Sequence, residues 1–249
     1  DAMLLRCEGE TALLDAGTYA SGDRVVDYLL RIGVEQLDYV IASHPDSDHT
    51  GGVAQVLEEL PVGELVVYPW PQEMRQSLEF QSLEEAAVEC SVPVREVVPG
   101  DSIPLGGTEL QVLGPLKVYE DTNNCSLVLR LDYLGFSSLF CGDIENSAEL
   151  DLVKSGLDLD VDLLKVAHHG SAGSSSQRFL EAVSPEVAVI SVGPDNSELP
   201  REETLVRLEE VGAKIYRTDT DGDLVISWDG DQLTLWSEYH NTLERIEDP

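Results

Sequence analysis

Three features of this 249-residue chain predict an α/β fold class. Short apolar runs rich in β-branched residues alternate with segments whose apolar residues recur at helical spacing. Gly, Pro and Asp turns bound those runs. Three of them, Tyr39 to Ala42, Phe136 to Phe140 and Val161 to Ala167, deliver imidazoles or carboxylates at their carboxyl ends. An apolar content of 42% allows a large core, and no linker, repeat or low-complexity tract interrupts the chain, so a single domain over residues 1–249 is expected.

Met3 to Cys7 and Thr11 to Leu14 read as strands joined by the Glu8-Gly9-Glu10 turn. The second ends at Asp15, which can ligate a metal but better accepts backbone or imidazole hydrogens and holds the next loop from behind. Ser21 suits the N-cap of a helix carrying Val25, Val26, Tyr28, Leu29 and Ile32, closed by Gly33. The strand Tyr39 to Ala42 then breaks into HPDSDHTGG, with His44, Asp46, Asp48 and His49, ahead of a helical pattern at Val53, Val56, Leu57 and Leu60. In an extended segment alternate side chains share a face, so His44, Asp46 and Asp48 are expected to converge while His49 turns to a second point. Such a loop can hold two metals. Imidazole nitrogen and carboxylate oxygen suit zinc, manganese or iron, and ions roughly 3.5–4 Å apart clamp the attacking and leaving oxygens of a phosphate ester.

Glu64 to Tyr68 reads as a strand, and Trp70 to Cys90 as mostly helix, with Pro71 at its start and Leu78, Leu83, Ala86 and Ala87 in the core. Trp70 and Phe80 fit packing better than base stacking. Val94 to Val98, Ser102 to Leu105 and Leu110 to Leu113 are short strands. The polar Thr122-Asn123-Asn124 precedes a strand at Ser126 to Leu131, and Phe136 to Phe140 runs into Cys141-Gly142-Asp143. Val161 to Ala167 ends in His168-His169-Gly170-Ser171. Ser174 is read as the cap of a helix through Phe179, Leu180 and Val183, Val187 to Val192 as a strand, and Pro200 to Gly212 as a helix. Lys214 to Arg217, a TDTDG β-turn, Leu224 to Trp228 and Leu233 to Trp236 close the sheet, with His240 solvated in a polar tail. Asp219, Asp221 and Asp223 lack the order of a calcium loop.

Fifteen basic against 48 acidic residues give a net charge of −33. Such a surface stays soluble, suits a salty or alkaline exterior, and repels polyanions at low salt. Lys165, Arg178 and Arg217 are the cations nearest the ligand motifs in sequence, open equally to a phosphate backbone or to solvent. Cys7, Cys90, Cys125 and Cys141 show no metal-finger spacing and read as free thiols, mostly buried. No apolar run reaches the length of a membrane span, and the chain starts in mid-strand at Asp1, as a piece excised from a longer protein would.

HPDSDHTGG is a close variant of the HxHxDH motif of the metallo-β-lactamase superfamily, with Asp46 in the second histidine's place. LLDAG, the Gly-Asp at Asp143 and AHHGS also resemble members of it, which implies an αββα four-layer sandwich. The order LLDAG, SHPDSDHTGG, NNCSLVLRL, FCGDIE, LLKVAHHGSAGSSS, ISVG and YRTDTDG resembles, more narrowly, the hydrolase-like domain of the ComEC/Rec2 DNA-uptake channel family. The resemblance covers nearly the whole chain. It implies His44 and Asp46 on one metal, Asp48 and His49 on the other, Asp143 bridging and His169 on the second metal. His168 would face the phosphate or protonate the leaving oxygen, and Asp48 and His168 are its catalytic residues. The histidine that the superfamily has before the Ser126 strand is Asn123 or Asn124 here, and none stands in VGPDNSELP.

The function so implied is a metal-dependent nuclease degrading the strand of incoming DNA that is not transported. Its partners are DNA, single-stranded by preference, and the membrane channel portion of the same polypeptide, with no nucleotide cofactor. It would be a soluble extracytoplasmic domain of a cytoplasmic-membrane protein. Two divalent metal ions are its cofactors, and the exchange of histidines for Asp and Asn favours manganese, with zinc the alternative. The rival readings are a stand-alone hydrolase of a small ester, lactone or phosphodiester, and a non-catalytic module that binds DNA or channel partners.

Overall fold

Parallel pairing of the β-branched runs sets the architecture. The computed structural model describes residues 1–246, and the chain divides into two compact units, Asp1–Leu129 and the part from Arg130 onward.

In the first unit β1 (Met3–Cys7) and β2 (Glu10–Leu14) form an antiparallel hairpin. After α1 (Gly22–Arg31), β3 (Leu37–Ile41) lies parallel to β2. Two helices follow, the single turn α2 (Ser47–Thr50) and α3 (Val53–Glu59). β4 (Val62–Val67), α4 (Leu78–Glu89) and β5 (Val94–Glu96) complete a sheet of order β1-β2-β3-β4-β5. β6 (Ser102–Leu105) and β7 (Thr108–Gly114) make a hairpin. The register Ala12↔Tyr39 and Leu14↔Ile41 brings Asp15 beside the segment leaving β3, and the Asp15 N–H donates to the Ile41 carbonyl at 2.9 Å.

The chain passes into the second unit along β8 (Val128–Tyr133). There β9 (Phe136–Phe140), α5 (Asn146–Ser155), β10 (Leu163–Lys165), α6 (Gln177–Val183), β11 (Val187–Ile190), α7 (Glu202–Glu210) and β12 (Lys214–Arg217) alternate. β9 to β12 are parallel, in the order β12-β11-β10-β9. The short turn α8 (Thr218–Asp221) precedes a separate antiparallel sheet of β13 (Leu224–Trp228), β14 (Leu233–Ser237) and β15 (Thr242–Ile246). Leu233 and Leu235 of that sheet bury themselves against Leu163, Val187 and Tyr216, with Phe136 stacked on Trp228.

Several local expectations are corrected. Ser21 does not cap α1, because its hydroxyl pairs with that of Thr18. The helix expected from Pro71 begins only at Leu78, where the Ser77 hydroxyl accepts the Phe80 N–H, and Leu78 is exposed rather than core. Ser176, not Ser174, caps α6 by accepting the Phe179 N–H. The strand expected over Val161 to Ala167 pairs only at Leu163–Lys165. The TDTDG stretch is a helical turn, and its Asp221 carboxylate accepts the Arg217 N–H and pairs with His240 at 3.1 Å. The late strands form their own sheet, whose third member β15 lies in the segment expected to be a polar tail. Trp70 is buried, donates its indole N–H to the Cys125 carbonyl and meets Phe80 edge-on, so it packs. All four cysteines are free, Cys7 half-buried and Cys90 exposed.

Candidate metal centre

In the first unit the ligand loop leaves the carboxyl end of β3, where parallel sheets expose unpaired strand ends to a crevice. His44, His49, Ser43 and Asp15 are all buried. Asp15 accepts from the Ser43 N–H (2.8 Å), the Ser43 hydroxyl (2.7 Å) and His49 Nδ1 (2.8 Å). The Ser43 proton is thereby committed to Asp15, so the Ser43 oxygen receives the Nδ1–H of His44 at 3.0 Å. Both rings therefore carry their proton on Nδ1 and turn the lone pair of Nε2 outward, the tautomer that a metal ligand needs. Burial alone would push the Asp15 carboxyl up, but His49, Ser43 and His44 outweigh it and hold the group below the usual carboxylate range.

The Gly51-Gly52 pair after this loop has a steric cause. A Cβ on Gly52 would strike the Ala16 carbonyl, and one on Gly51 the Ser47 carbonyl and Tyr19 nitrogen. That close approach, with the Gly52 N–H donating to the Gly17 carbonyl, presses the loop onto the segment that carries Asp15.

Asp46 and Asp48 differ from the extended-segment expectation. The backbone coils at Ser47, because the Asp46 carbonyl accepts the N–H groups of His49 and Thr50 and the Thr50 hydroxyl. Asp46 is half-buried at the head of α2, its carboxylate 3.9 Å from His44 Nε2 and making no capping bond. Asp48 lies exposed in the first turn of α2, so it does not follow Asp46 on an extended face. Asn123 lies in a 3-10 turn and its carbonyl accepts the Ser126 hydroxyl at 2.6 Å. Asn124 is buried, and its side-chain amide donates to both carboxylate oxygens of Asp121 at 3.0 Å.

In the second unit the register Lys165↔Phe140 makes Gly142-Asp143 and the His168-His169 turn emerge together, and the His168 N–H donates to the Gly142 carbonyl. Asp143 is buried, with His168 Nε2 and His169 Nε2 each 3.8 Å from its Oδ2. His169 Nδ1 lies 2.8 Å from the Ser191 carbonyl, which can only accept, so its Nε2 too presents a lone pair. His168 Nδ1 stands 3.3 Å from the Glu145 carboxylate. Both histidines have left-handed backbones, φ 49° and 53°, strained by about 1–3 kcal/mol each and maintained by the surrounding bonds.

In each unit the donors fit a divalent cation: His44 and His49 in the first and His169 in the second have Nδ1 tied down, and carboxylates of each unit supply negative charge. Ser43, Glu145 and Ser191 are the site residues that sequence reasoning missed. Ser43 had a signal, a small hydroxyl directly before His44, whereas Ser191 acts through a backbone carbonyl that no side chain announces. Lys165 is buried and donates to the Val166 carbonyl, and Arg217 is clasped by Asp219, so neither is a surface cation facing a phosphate backbone.

This fold and donor chemistry define a class. The family model of the metallo-beta-lactamase superfamily matches residues 1–193, and the chain belongs to that superfamily, with its metallo-hydrolase fold. Among solved structures, the MIM-2 metallo-beta-lactamase aligns with TM-score 0.50 at 20% identity, covering 72% of this chain and 74% of that one. CmlA, a diiron beta-hydroxylase from Streptomyces venezuelae, aligns with TM-score 0.56 at 14% identity over 87% and 51%. More particularly, the chain is a relative of competence proteins. It is 31% identical to ComE operon protein 3 of Bacillus subtilis over 83% of its length and 34% identical to competence protein ComA of Neisseria gonorrhoeae over 90%. Recombination protein 2 of Haemophilus influenzae is 28% identical over 94%. The chain spans only 26%, 30% and 28% of those three relatives. Among the described residues no helix is long and apolar enough to cross a membrane.

Proposed function

We infer that the chain is a metal-dependent phosphodiesterase acting on DNA during uptake, cutting the strand that is not transported. On this reading it is the extracytoplasmic part of a longer cytoplasmic-membrane protein that includes a channel. The likeness to competence proteins over most of the chain supports the context. The observation that carries the chemistry is the shared geometry of His44, His49 and His169, whose Nδ1 atoms lie 3.0, 2.8 and 2.8 Å from the Ser43 hydroxyl, Asp15 and the Ser191 carbonyl, so that Nε2 is the nitrogen oriented for a cation.

The residues proposed as ligands are His44, Asp46, Asp48, His49, Asp143 and His169, with Asn123 or Asn124 in the place of a missing histidine. Bound divalent cations supply Lewis acidity, neutralising non-bridging phosphate oxygens and making water acidic enough to attack near neutral pH. Asp15 and Ser43 keep the first two imidazoles in one tautomer and one orientation. Asp48, exposed at the head of α2, takes a proton from the attacking water. His168, its Nδ1 facing Glu145, gives a proton to the leaving oxygen.

The test is incubation of chelator-stripped protein with single- and double-stranded DNA across a panel of divalent metals. Metal-stimulated release of nucleotides, faster from single strands, is expected. Turnover of a small phosphodiester with no cleavage of DNA would replace the reading with that of a small-molecule hydrolase, and DNA binding without turnover would leave a binding module.

A further inference from the structure

The strained His168-His169 turn continues into Ser171–Ser176, a segment that pairs with no strand; its Gly173 carbonyl accepts the Asn146 N–H at the start of α5, and Ser176 caps α6. Side chains of α5 and α7 serve the rest of it. Thr204 donates its hydroxyl to the Ser171 carbonyl at 3.0 Å, and Arg207 donates Nη2 to the Ser174 carbonyl at 2.9 Å and Nε to the Ser175 carbonyl at 2.8 Å. Glu149, fully buried, accepts the N–H of Ser175 and, at 2.9 Å, that of Ser176. Ser175 itself is left-handed, with φ 54°. Its N–H is thus held by one side chain and its carbonyl by another. Upstream, the Ser174 N–H donates to the Ser171 carbonyl, and the Ser171 N–H to that of His168. Burial pushes the Glu149 carboxyl up, and the Ser176, Ser175 and Arg207 interactions draw it back. A desolvated carboxylate is costly, and its use here is to receive two adjacent amide hydrogens that would otherwise lack acceptors.

We propose that Glu149 and Arg207 are positioning residues for the His168-His169 pair. By fixing Ser175 in its left-handed conformation they brace Ser171–Ser176, and with it the turn from which both imidazoles project. The proposal rests on the reading above that these imidazoles serve a metal site. Glu149 and Arg207 lie outside the proposed ligand set, and hold the turn through the backbone of Ser174–Ser176.

The test is Glu149→Gln, which keeps the shape but offers one amide oxygen in place of two carboxylate oxygens. Hydrogen exchange of residues 168–176 should accelerate about tenfold while β9 and β10 stay protected. The kcat of the metal-loaded protein should fall about tenfold or more with KM within about twofold. Adding Ser175→Gly should restore most of both losses, since glycine takes positive φ without steric cost. A merely structural role would not give that rescue. Unchanged exchange in E149Q, acceleration spread evenly over the strands of the second unit, or no recovery with S175G would overturn the proposal. If E149Q does not fold, Arg207→Met, which keeps the stem and removes the carbonyl contacts, is read by the same criteria. The exchange arm needs neither metal nor DNA. A wild-type protein inactive on DNA would therefore defeat the proposed function while the clamp is still decided.

Discussion

Asp15 and His49 meet at 2.8 Å in a fully buried pair, carboxylate oxygen against Nδ1, 34 residues apart in sequence. Asp15 sets the imidazole tautomer without itself needing to touch a metal. Asp15→Asn keeps a residue that tolerates the left-handed backbone at this position, φ 60°, but replaces the carboxylate with an amide that can donate to the ring. Metal affinity should fall about 10–100-fold with far-UV circular dichroism unchanged. Wild-type affinity in D15N, measured by competition with a metal indicator, would remove Asp15 from the site.

On the proposed reading Asp143 would matter more than any other single ligand, because the family resemblance implies that its carboxylate would compensate two cations at once. Asp143→Asn should abolish metal-stimulated activity and leave the unfolding midpoint in urea within about 10% of wild type. Full activity in this variant would sink the two-metal assignment.

Salt dependence follows from the surface. Against a net charge of −33, Arg75 pairs with Glu84 and Glu96, Arg130 with Asp132, Arg201 with Glu198 and Arg217 with Asp219. With acidic residues outnumbering basic ones 48 to 15 and several arginines already paired, DNA affinity should be flat or improve as salt is raised, instead of falling steeply as counterions are released. A steep log–log slope in fluorescence anisotropy would mean a basic groove exists.

The metal preference tests the oxygen-rich donor set. Activity of stripped protein should be restored better by millimolar-scale manganese than by zinc, since Asp46 and an Asn stand where the superfamily has histidines. The comparison variant is Asn123→His, because replacing Asn124 would also break its clasp on Asp121. Asn123→His should shift the preference toward zinc. Tight stoichiometric zinc in the wild type, with manganese inert, would contradict the assignment.

One pH effect lies away from the site. Lys214 and Tyr216 on β12 both hydrogen-bond Glu244 on β15, and the Lys214 ammonium first, then the Tyr216 hydroxyl, hold that carboxyl below its usual range. A depressed carboxyl pKa contributes stability above the unfolded value, near 4.3, that is lost as pH falls through the lower folded value. The Lys214 and Glu244 side chains are 52% and 44% exposed, so the contribution is only about 0.2–1 kcal/mol. Glu244→Gln should lower stability by that amount at neutral pH and by nothing at the acid end, read from urea titrations at both. An equal loss at both pH values would assign the effect to packing.

The sequence by itself determined the class and the order of the strand ends that carry imidazoles and carboxylates, because composition and period-two or helical spacing are local properties of the chain. The strand before HPDSDHTGG, the Phe136 strand before Asp143 and the role of Trp70 as packing were all legible in that way. The sequence could not show that the backbone coils at Ser47 and exposes Asp48, since that turn depends on bonds to the Asp46 carbonyl. Nor could it show Ser43 relaying between Asp15 and two imidazoles, or Glu149 and Arg207 gripping Ser175 from separate helices. Those arrangements join residues tens of positions apart through one or two hydrogen bonds each. Only sheet register and helix packing decide such pairings, because a shift of one residue along either strand would turn every partner to the opposite face.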